Sequence, residues 1–117
     1  MWGKKPKYKN TKCEYKGIKF DSKKEMNRYL DLLEAQKKGR ISQLELQPKY
    51  PFIVNGKPLK APQKNAKPLF YQADFKYIED GDLVVEDVKS SMTKKLAVFK
   101  YKMALMKALY DITVKLT

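Results

Sequence analysis

The stretch YQADFKYIEDGDLVVEDVKS, residues 71–90, decides the fold of this chain. Two runs rich in apolar residues flank the four residues Glu-Asp-Gly-Asp at 79–82, and Asp-Gly between two such runs is a strong β-hairpin signal. The pattern predicts antiparallel strands at about 70–78 and 83–89. A two-residue turn and a four-residue loop give the same register, so the pairing of the strands does not depend on that choice.

The predicted register brings two carboxylates together. Asp74 lies opposite Asp87, and Lys89 shares the face of Asp87 because side chains alternate along a strand. Gln72 is then expected opposite Lys89. Directly opposed like charges destabilise a sheet, and a divalent cation bound between the two acids would remove this repulsion. The hairpin therefore predicts a metal site, with Lys89 beside it to hold an anionic substrate or a water molecule.

Two alternatives stay open for these acids. Glu86 is predicted to point to the other face, with Tyr71 and Phe75, so we predict Asp87 as the second acid. A β-bulge would reverse that choice. The acids would also be explained if they lay in water near the strand ends, where neighbouring lysines neutralise them.

Composition limits the function. The 117 residues correspond to one domain, and 26 Lys and Arg against 13 Asp and Glu give a net charge of +13. This charge indicates a polyanionic partner, with nucleic acid first and an anionic membrane surface second; the alternative is a basic surface that only aids solubility. The sequence has no His and one Cys, so any metal must be held by oxygen atoms, which favours Mg²⁺, Mn²⁺ or Ca²⁺.

No apolar run is long enough to span a membrane, and the N-terminal residues do not have the pattern of a secretory signal. We therefore expect an intracellular protein. Residues 1–16 form a predicted basic arm, and residues 17–117 a single domain. Trp2, Tyr8 and Tyr15 in the arm are candidates for stacking on nucleic-acid bases, although tails also carry such residues without a function.

The rest of the chain alternates helices and strands. Ser22 predicts the start of a helix that runs to about Lys38, and the apolar stripe of 93–110 predicts a second helix packed on a sheet. The remaining predicted elements are a turn at Gly17, a bent strand over 41–54, an exposed basic loop over 57–69 and a closing strand over 111–117. The order α-β-β-β-α-β predicts an α/β fold with a mixed central sheet flanked by two helices.

These motifs resemble the PD-(D/E)XK nuclease superfamily. The matching residues are Asp74 in YQADF, Asp87 and Lys89 in VVEDVKS, and Glu25 in FDSKKE. The chain is closest to small phage and prophage nuclease-like proteins, and is also similar to nuclease subunits of bacterial transposons and to phage junction-resolving endonucleases. Ala73 stands where the superfamily usually has Pro, and Asp87 where it usually has Glu.

The resemblance implies a restriction-endonuclease-like αβββαβ core and a metal-dependent endodeoxyribonuclease. It implies that Asp74, Asp87, Glu25 and the carbonyl of Val88 hold or position Mg²⁺ or Mn²⁺, and that Lys89 orients or deprotonates the attacking water. For Glu25 an alternative remains, because a Glu three residues after a helix-capping Ser ordinarily satisfies backbone N–H groups.

The expected partner is DNA, either duplex or branched like a Holliday junction, in phage replication or recombination within the bacterial cytoplasm. A homodimer is expected if the substrate is a junction. Predicted nucleic-acid contacts are Gln47, Lys57, Lys60, Lys64, Lys67, Lys100 and Lys102. Two other functions stay open: a catalytically inactive nucleic-acid-binding accessory protein of the same fold, and a basic protein that binds another protein or a membrane surface.

Overall fold

The computed structural model describes residues 12–117, so the predicted roles of Trp2 and Tyr8 lie outside the described residues. The chain divides into two compact units, of which the first ends at Arg40 and the second is Ile41–Thr117. The single domain over 17–117 stays a prediction. Within residues 12–117, no helix has the length and apolar character that a membrane crossing requires.

In the first unit, a hairpin precedes a helix. Strands β1 (Cys13–Tyr15) and β2 (Ile18–Phe20) pair antiparallel. Lys16 and Gly17 both have positive φ, 48° and 84°, as a tight hairpin turn requires, and Gly17 adopts this conformation without steric cost. The predicted turn at Gly17 is confirmed, and a short strand lies on each side of it.

Helix α1 (Lys23–Lys37) begins and ends where the sequence predicts. The Ser22 hydroxyl accepts a hydrogen bond from the Glu25 N–H at 3.1 Å, which satisfies one of the free donors of the first turn. Gly39, two residues beyond the helix, has a positive φ of 75°, which is typical of a residue that ends a helix. The capping prediction for Ser22 is thus confirmed.

The second unit contains eight strands and two helices. In chain order they are β3 (Ile41–Leu46), β4 (Lys49–Pro51), β5 (Ile53–Val54), β6 (Lys57–Pro58), β7 (Phe70–Gln72), β8 (Phe75–Glu79), β9 (Asp82–Asp87), α2 (Ser91–Lys94), α3 (Ala97–Tyr110) and β10 (Lys115–Leu116). The central sheet has the order β10-β9-β8-β3, with β9 and β10 parallel and the other pairs antiparallel. The protein is therefore a mixed α/β structure with a mixed central sheet.

The predicted hairpin register is confirmed over its regular part. Phe75 pairs with Glu86 and Glu79 pairs with Asp82. Asp80 and Gly81 form the turn with positive φ values of 53° and 81°, the conformation that Asp-Gly favours in a two-residue hairpin loop.

The predicted strand over 70–78 is wrong in its continuity. The chain bends at Ala73 and Asp74, and β7 leaves the central sheet to pair with β4, so that Gln72 lies opposite Lys49 and not opposite Lys89. The Ala73 N–H bonds the Pro48 carbonyl at 3.1 Å, so the backbone is held by the β4 side of the structure. Asp74 therefore lies in the bend before β8 and not inside a strand.

The predicted second helix is also interrupted. Helix α2 ends at Lys94, and Leu96 has the extended backbone of a residue that precedes a new helix, with φ −69° and ψ 137°. Its N–H bonds the Thr93 carbonyl at 3.1 Å, which closes the short helix. Leu96 and Val98, two residues of the predicted apolar stripe of 93–110, lie beside this break and are 54% and 64% exposed.

The end of β9 is buried on both faces of the sheet. Val85 packs in a buried cluster with Met106 of α3, and the next two residues, Glu86 and Asp87, are completely buried. Neighbouring residues of a strand point to opposite faces. Glu86 and Asp87 therefore point to opposite faces of the sheet. Phe75, which is paired with Glu86, is also completely buried.

Candidate active site

Asp87 is the centre of the candidate site, because it is a fully buried carboxylate with one oxygen partnered and one not. Its Oδ2 accepts a hydrogen bond from the Tyr71 hydroxyl and lies 3.3 Å from the Lys89 ammonium nitrogen. Its Oδ1 receives no hydrogen bond from any group in residues 12–117. A buried oxygen without a donor is costly in a folded protein, so this oxygen is suited to bind a water molecule or a cation.

Lys89 compensates much of the cost of burying this charge. Removing a carboxylate from water costs several kcal/mol per ion in proteins. Two opposite unit charges about 4 Å apart attract by about 4 kcal/mol at an effective dielectric constant of about 20. These terms are comparable, so Asp87 and Lys89 are held together as a pair. The Lys89 side chain is 29% exposed, so it is partly accessible to solvent beside the buried acid.

The Asp74 side chain turns back to the end of β9. Its Oδ2 accepts the N–H of Val88 at 2.8 Å, and its own N–H donates to the Glu86 carbonyl at 3.2 Å. The bend before β8 makes both contacts possible, because it leaves Asp74 outside the regular ladder. The structure therefore brings the Asp74 carboxylate to the residue that directly follows Asp87.

Both acids affect the pKa of the Tyr71 hydroxyl. Burial raises the pKa of its hydroxyl, the hydrogen bond to Asp87 raises it further, and the charges of Asp87, Asp74 and Tyr50 add to the effect. The Tyr71 hydroxyl therefore keeps its proton at neutral pH and remains a donor to Asp87. The Asp74 carboxylate accepts the N–H of Val88, the residue after Asp87, so the two acids lie in the same region.

The sequence reasoning missed Tyr71, because it assigned this residue to the face of Glu86. The break at Ala73 separates Tyr71 from β8, so the alternation of a continuous strand does not apply. The sequence does contain a signal for this break, which is the pair of prolines at 48 and 51. The chain bends at these prolines, and β4 becomes the partner of β7.

Glu86, the alternative second acid, is already bonded at both oxygens. Tyr77 donates to Oε1 at 2.6 Å and Thr117 donates to Oε2 at 3.0 Å. Both oxygens of Glu86 have donors, whereas one oxygen of Asp87 has none within residues 12–117, so the geometry favours Asp87 as the residue that would bind a cation.

The residues present fit a hard cation such as Mg²⁺. Among residues 12–117, no three or more Asp, Glu or Cys side chains gather in one metal-binding group. Mg²⁺ does not need such a group, because it is commonly bound by one or two carboxylates while waters and substrate phosphates complete its shell. Oδ1 of Asp87 offers an oxygen ligand without a competing donor among residues 12–117. The Asp74 carboxylate bonds the backbone of the next residue, Val88.

Gln47, a predicted nucleic-acid contact, supports the bend through its backbone, which has a positive φ of 52°. Its N–H donates to the Asp74 carbonyl at 2.9 Å, and its carbonyl accepts from the Gln72 side chain at 3.3 Å. The Gln47 side chain is exposed. Glu25 is a residue of the first unit, with a side chain that is 6% exposed. Its catalytic role stays a prediction.

The predicted DNA-binding lysines are mostly on the surface. The exposed ones are Lys57, Lys60, Lys64, Lys67 and Lys100. Lys102 of α3 is half-buried and lines an open groove that Lys89 also lines. The structure thus associates Lys102, and not Lys100, with the surroundings of Lys89.

Comparison with known proteins adds one family. Residues 5–117 match the model of a family described as "Protein of unknown function (DUF1064)". No curated protein and no solved structure matches the chain.

Proposed function

This chain belongs to the DUF1064 family, and we propose that it is a Mg²⁺- or Mn²⁺-dependent endonuclease that hydrolyses phosphodiester bonds in DNA. One observation carries the proposal. Asp87 is fully buried, Lys89 lies 3.3 Å from one of its oxygens, and its other oxygen has no donor within residues 12–117. This arrangement is suited to an acid that binds a cation next to a lysine that contacts substrate.

The order of elements supports the same proposal. Apart from the short elements β1, β2, β4–β7 and α2, the chain order is α1, β3, β8, β9, α3 and β10, which is a helix, three antiparallel strands, a helix and a final strand. This is the αβββαβ order that we propose as a restriction-endonuclease-like core. The resemblance implies an Asp on one central strand and an acid-x-Lys on the next; here Asp74 directly precedes β8 and Asp87 ends β9.

The chemistry follows from the groups at the end of β9. When bound, Mg²⁺ would lower the pKa of a coordinated water and neutralise charge on the phosphate. Asp87 and Asp74 would supply the carboxylate ligands, with the Val88 carbonyl as a third oxygen. Lys89 would orient the attacking water and stabilise the negative charge that develops on the phosphate oxygens. Tyr71 would hold the Asp87 carboxylate in one orientation through the hydrogen bond to Oδ2.

The charge distribution supports DNA as the substrate. A net charge of +13 attracts a polyanion, and the exposed lysines at 57, 60, 64 and 67 are available to phosphates. Such contacts provide affinity and little sequence information, and they weaken steeply as salt is added. A DNA affinity that did not depend on salt would contradict this part of the proposal.

The test is cleavage of supercoiled plasmid, four-way junctions, flaps and blunt duplexes by the full chain, with Mg²⁺, Mn²⁺ or EDTA. We expect metal-dependent nicking that Asp87→Asn abolishes, while Asp82→Asn, an exposed acid at the other end of β9, cuts normally. Tight DNA binding without cleavage of any substrate in either metal would refute the nuclease. It would indicate instead a catalytically inactive nucleic-acid-binding protein.

A further inference from the structure

An open groove of about 640 Å³ lies beside the candidate site in the second unit. Its walls are mainly apolar and come from β7 and the start of α3, including Phe70, Leu96, Val98 and Tyr101. These side chains are well exposed, with Tyr101 at 71%. Two cations, Lys89 and Lys102, line the same groove.

Exposed apolar side chains in a cluster indicate a binding surface, because isolated ones are common on proteins while contiguous patches are often functional. The break between α2 and α3 creates this cluster, since it turns Leu96 and Val98 outward. The occupant must also suit the lysines. A partner with apolar faces and a negative backbone satisfies both requirements, and unpaired nucleotides have this combination.

We propose that this groove binds unpaired nucleotides of a single-stranded DNA segment. The bases would stack on Tyr101 and Phe70 while phosphates contact Lys102 and Lys89. The ammonium group of Lys49, which does not line the groove, lies 4.7 Å from the centre of the Phe70 ring, so this ring already has a cation beside it. Stacking of this kind tolerates any base, so the groove would recognise the unpaired state and not a sequence.

A duplex would use the groove poorly. Its bases are stacked inside the double helix, so its outer surface offers mainly phosphates and sugars. Apolar walls gain nothing from those groups. An extruded or single-stranded base presents its flat face directly, and this face is what Tyr101 and Phe70 can cover.

The groove is continuous with the candidate active site through two shared residues. Lys89 and Tyr71 line the groove and also contact Asp87. A strand that lies in the groove would therefore bring one of its phosphates to Lys89. The inference rests on the proposed function in its choice of DNA, and it specifies the substrate as DNA with a single-stranded segment at the cut, such as a flap or an open junction.

The test compares binding of a fluorescein-labelled single-stranded oligothymidine and a blunt DNA hairpin with the same number of phosphates. Fluorescence anisotropy is measured on the full chain in EDTA, at about 50 mM and about 200 mM salt, over which phosphate contacts weaken strongly. At the higher salt we expect the single strand to bind more tightly than the hairpin, because stacking persists when phosphate contacts are screened. Equal or tighter binding of the hairpin at that salt would overturn the proposal.

Variants then place the binding in the groove. Tyr101→Ala should weaken single-strand binding about tenfold, within the range found for loss of one base–aromatic stack, while Tyr101→Phe should retain it. Leu83→Ala is the matched control, because Leu83 is an exposed apolar residue that does not line the groove. An equal effect of Tyr101→Ala and Leu83→Ala would contradict the inference. So would a dimer in light scattering that only Tyr101→Ala dissociates while single-strand binding is unchanged.

Cleavage and groove binding can fail separately. Single-strand preference without cleavage in either metal would refute the nuclease and support the groove. Metal-dependent cleavage of plain duplex, with no effect of Tyr101→Ala on either binding or cutting of flaps, would support the nuclease and refute the groove. Photocrosslinking of an iodouracil-containing single strand gives an independent readout, and we expect the crosslink at Tyr101 or Phe70.

Discussion

The Lys89 ammonium nitrogen lies 3.3 Å from Oδ2 of Asp87, an acid with no exposed surface. Lys89 lies two residues after Asp87, the last residue of β9. The Lys89 N–H donates to the Thr117 carbonyl at 3.2 Å, and Thr117 in turn donates its N–H to the Asp87 carbonyl at 3.1 Å. The backbone of the pair is therefore held on both sides by Thr117, the residue that follows the parallel strand β10.

A first prediction concerns metal binding without DNA. Mg²⁺ or Mn²⁺ should raise the melting temperature of the wild-type chain, because a ligand that binds only the folded state adds about 2.7 kcal/mol of stability at a concentration 100 times its Kd. Asp87→Asn should lose this shift, since an amide oxygen carries no charge. Differential scanning fluorimetry with increasing metal measures it.

Asp82→Asn is the control for this experiment, because Asp82 is exposed and lies on the same strand. It should show the wild-type response to metal. If Asp87→Asn is stabilised by metal as much as the wild type, Asp87 is not a ligand.

Lys89→Ala tests the role of the ammonium group. We expect metal-dependent cutting to fall by at least about 100-fold, the scale seen when one group that stabilises transition-state charge is removed. The melting temperature should fall too, because Asp87 is left as a buried charge without its cation. Initial rates on a plasmid substrate, taken well below the melting temperature, separate these two effects.

Lys95→Ala is the matched control for the loss of one lysine, since Lys95 is exposed just after α2. It should cut at the wild-type rate. A Lys89→Ala variant that cuts as fast as Lys95→Ala would exclude Lys89 from the reaction.

The hairpin could be predicted from the sequence because its information is local. Asp80-Gly81 specifies the turn, and the turn fixes the register of every pair from Phe75 with Glu86 to Glu79 with Asp82. The helix cap at Ser22 is local in the same way.

The bend at Ala73 and the break at Leu96 could not be predicted in this way, because distant contacts decide them. Ala73 is held by the carbonyl of Pro48, which is far away in sequence. The apolar stripe of 93–110 continues across Leu96, so periodicity alone gives no reason to end the helix there. The contact of Tyr71 with Asp87 depends on that bend, so the alternation expected of a continuous strand placed Tyr71 on the wrong face.

Tyr71→Phe should weaken metal-dependent activity through Asp87. The variant removes one hydroxyl and leaves Oδ2 of Asp87 with Lys89 alone. Loss of a residue that orients a metal ligand typically costs about 10- to 100-fold in metal affinity or activity. The readout is the Mg²⁺ concentration that gives half-maximal cutting, which a loss of stability alone would not change.

Tyr77→Phe is the control, since Tyr77 donates in the same manner to the buried Glu86. Both variants should lose about 1–3 kcal/mol of stability, because each loses one hydrogen bond to a buried carboxyl group. We expect only Tyr71→Phe to raise the half-maximal Mg²⁺ concentration. The opposite result would identify Glu86 as the metal-binding acid.

Tyr50→Phe should stabilise the fold, in contrast to the other tyrosine variants. The Tyr50 hydroxyl is buried and has no hydrogen-bond partner within residues 12–117, while its ring packs edge-on against Tyr110 at 5.2 Å. Removing an unsatisfied buried hydroxyl while keeping the ring should raise the free energy of unfolding by about 1 kcal/mol. Tyr110→Phe, which removes a donor to the Pro51 carbonyl, should lower it. Urea unfolding at neutral pH measures both.

The same residue gives a pH dependence with a definite sign. Burial, with Glu45 and Tyr110 adding to it, raises the pKa of Tyr50 above its ordinary value of 10.0. Above pH 10 the unfolded chain releases this proton while the folded chain retains it, so stability is complete below that pH and falls as the pH rises toward the folded pKa. Tyr50→Phe should make this alkaline loss less steep, with Tyr71 accounting for part of the remainder. An unchanged alkaline slope in urea titrations of Tyr50→Phe would show that Tyr50 ionises alike in both states.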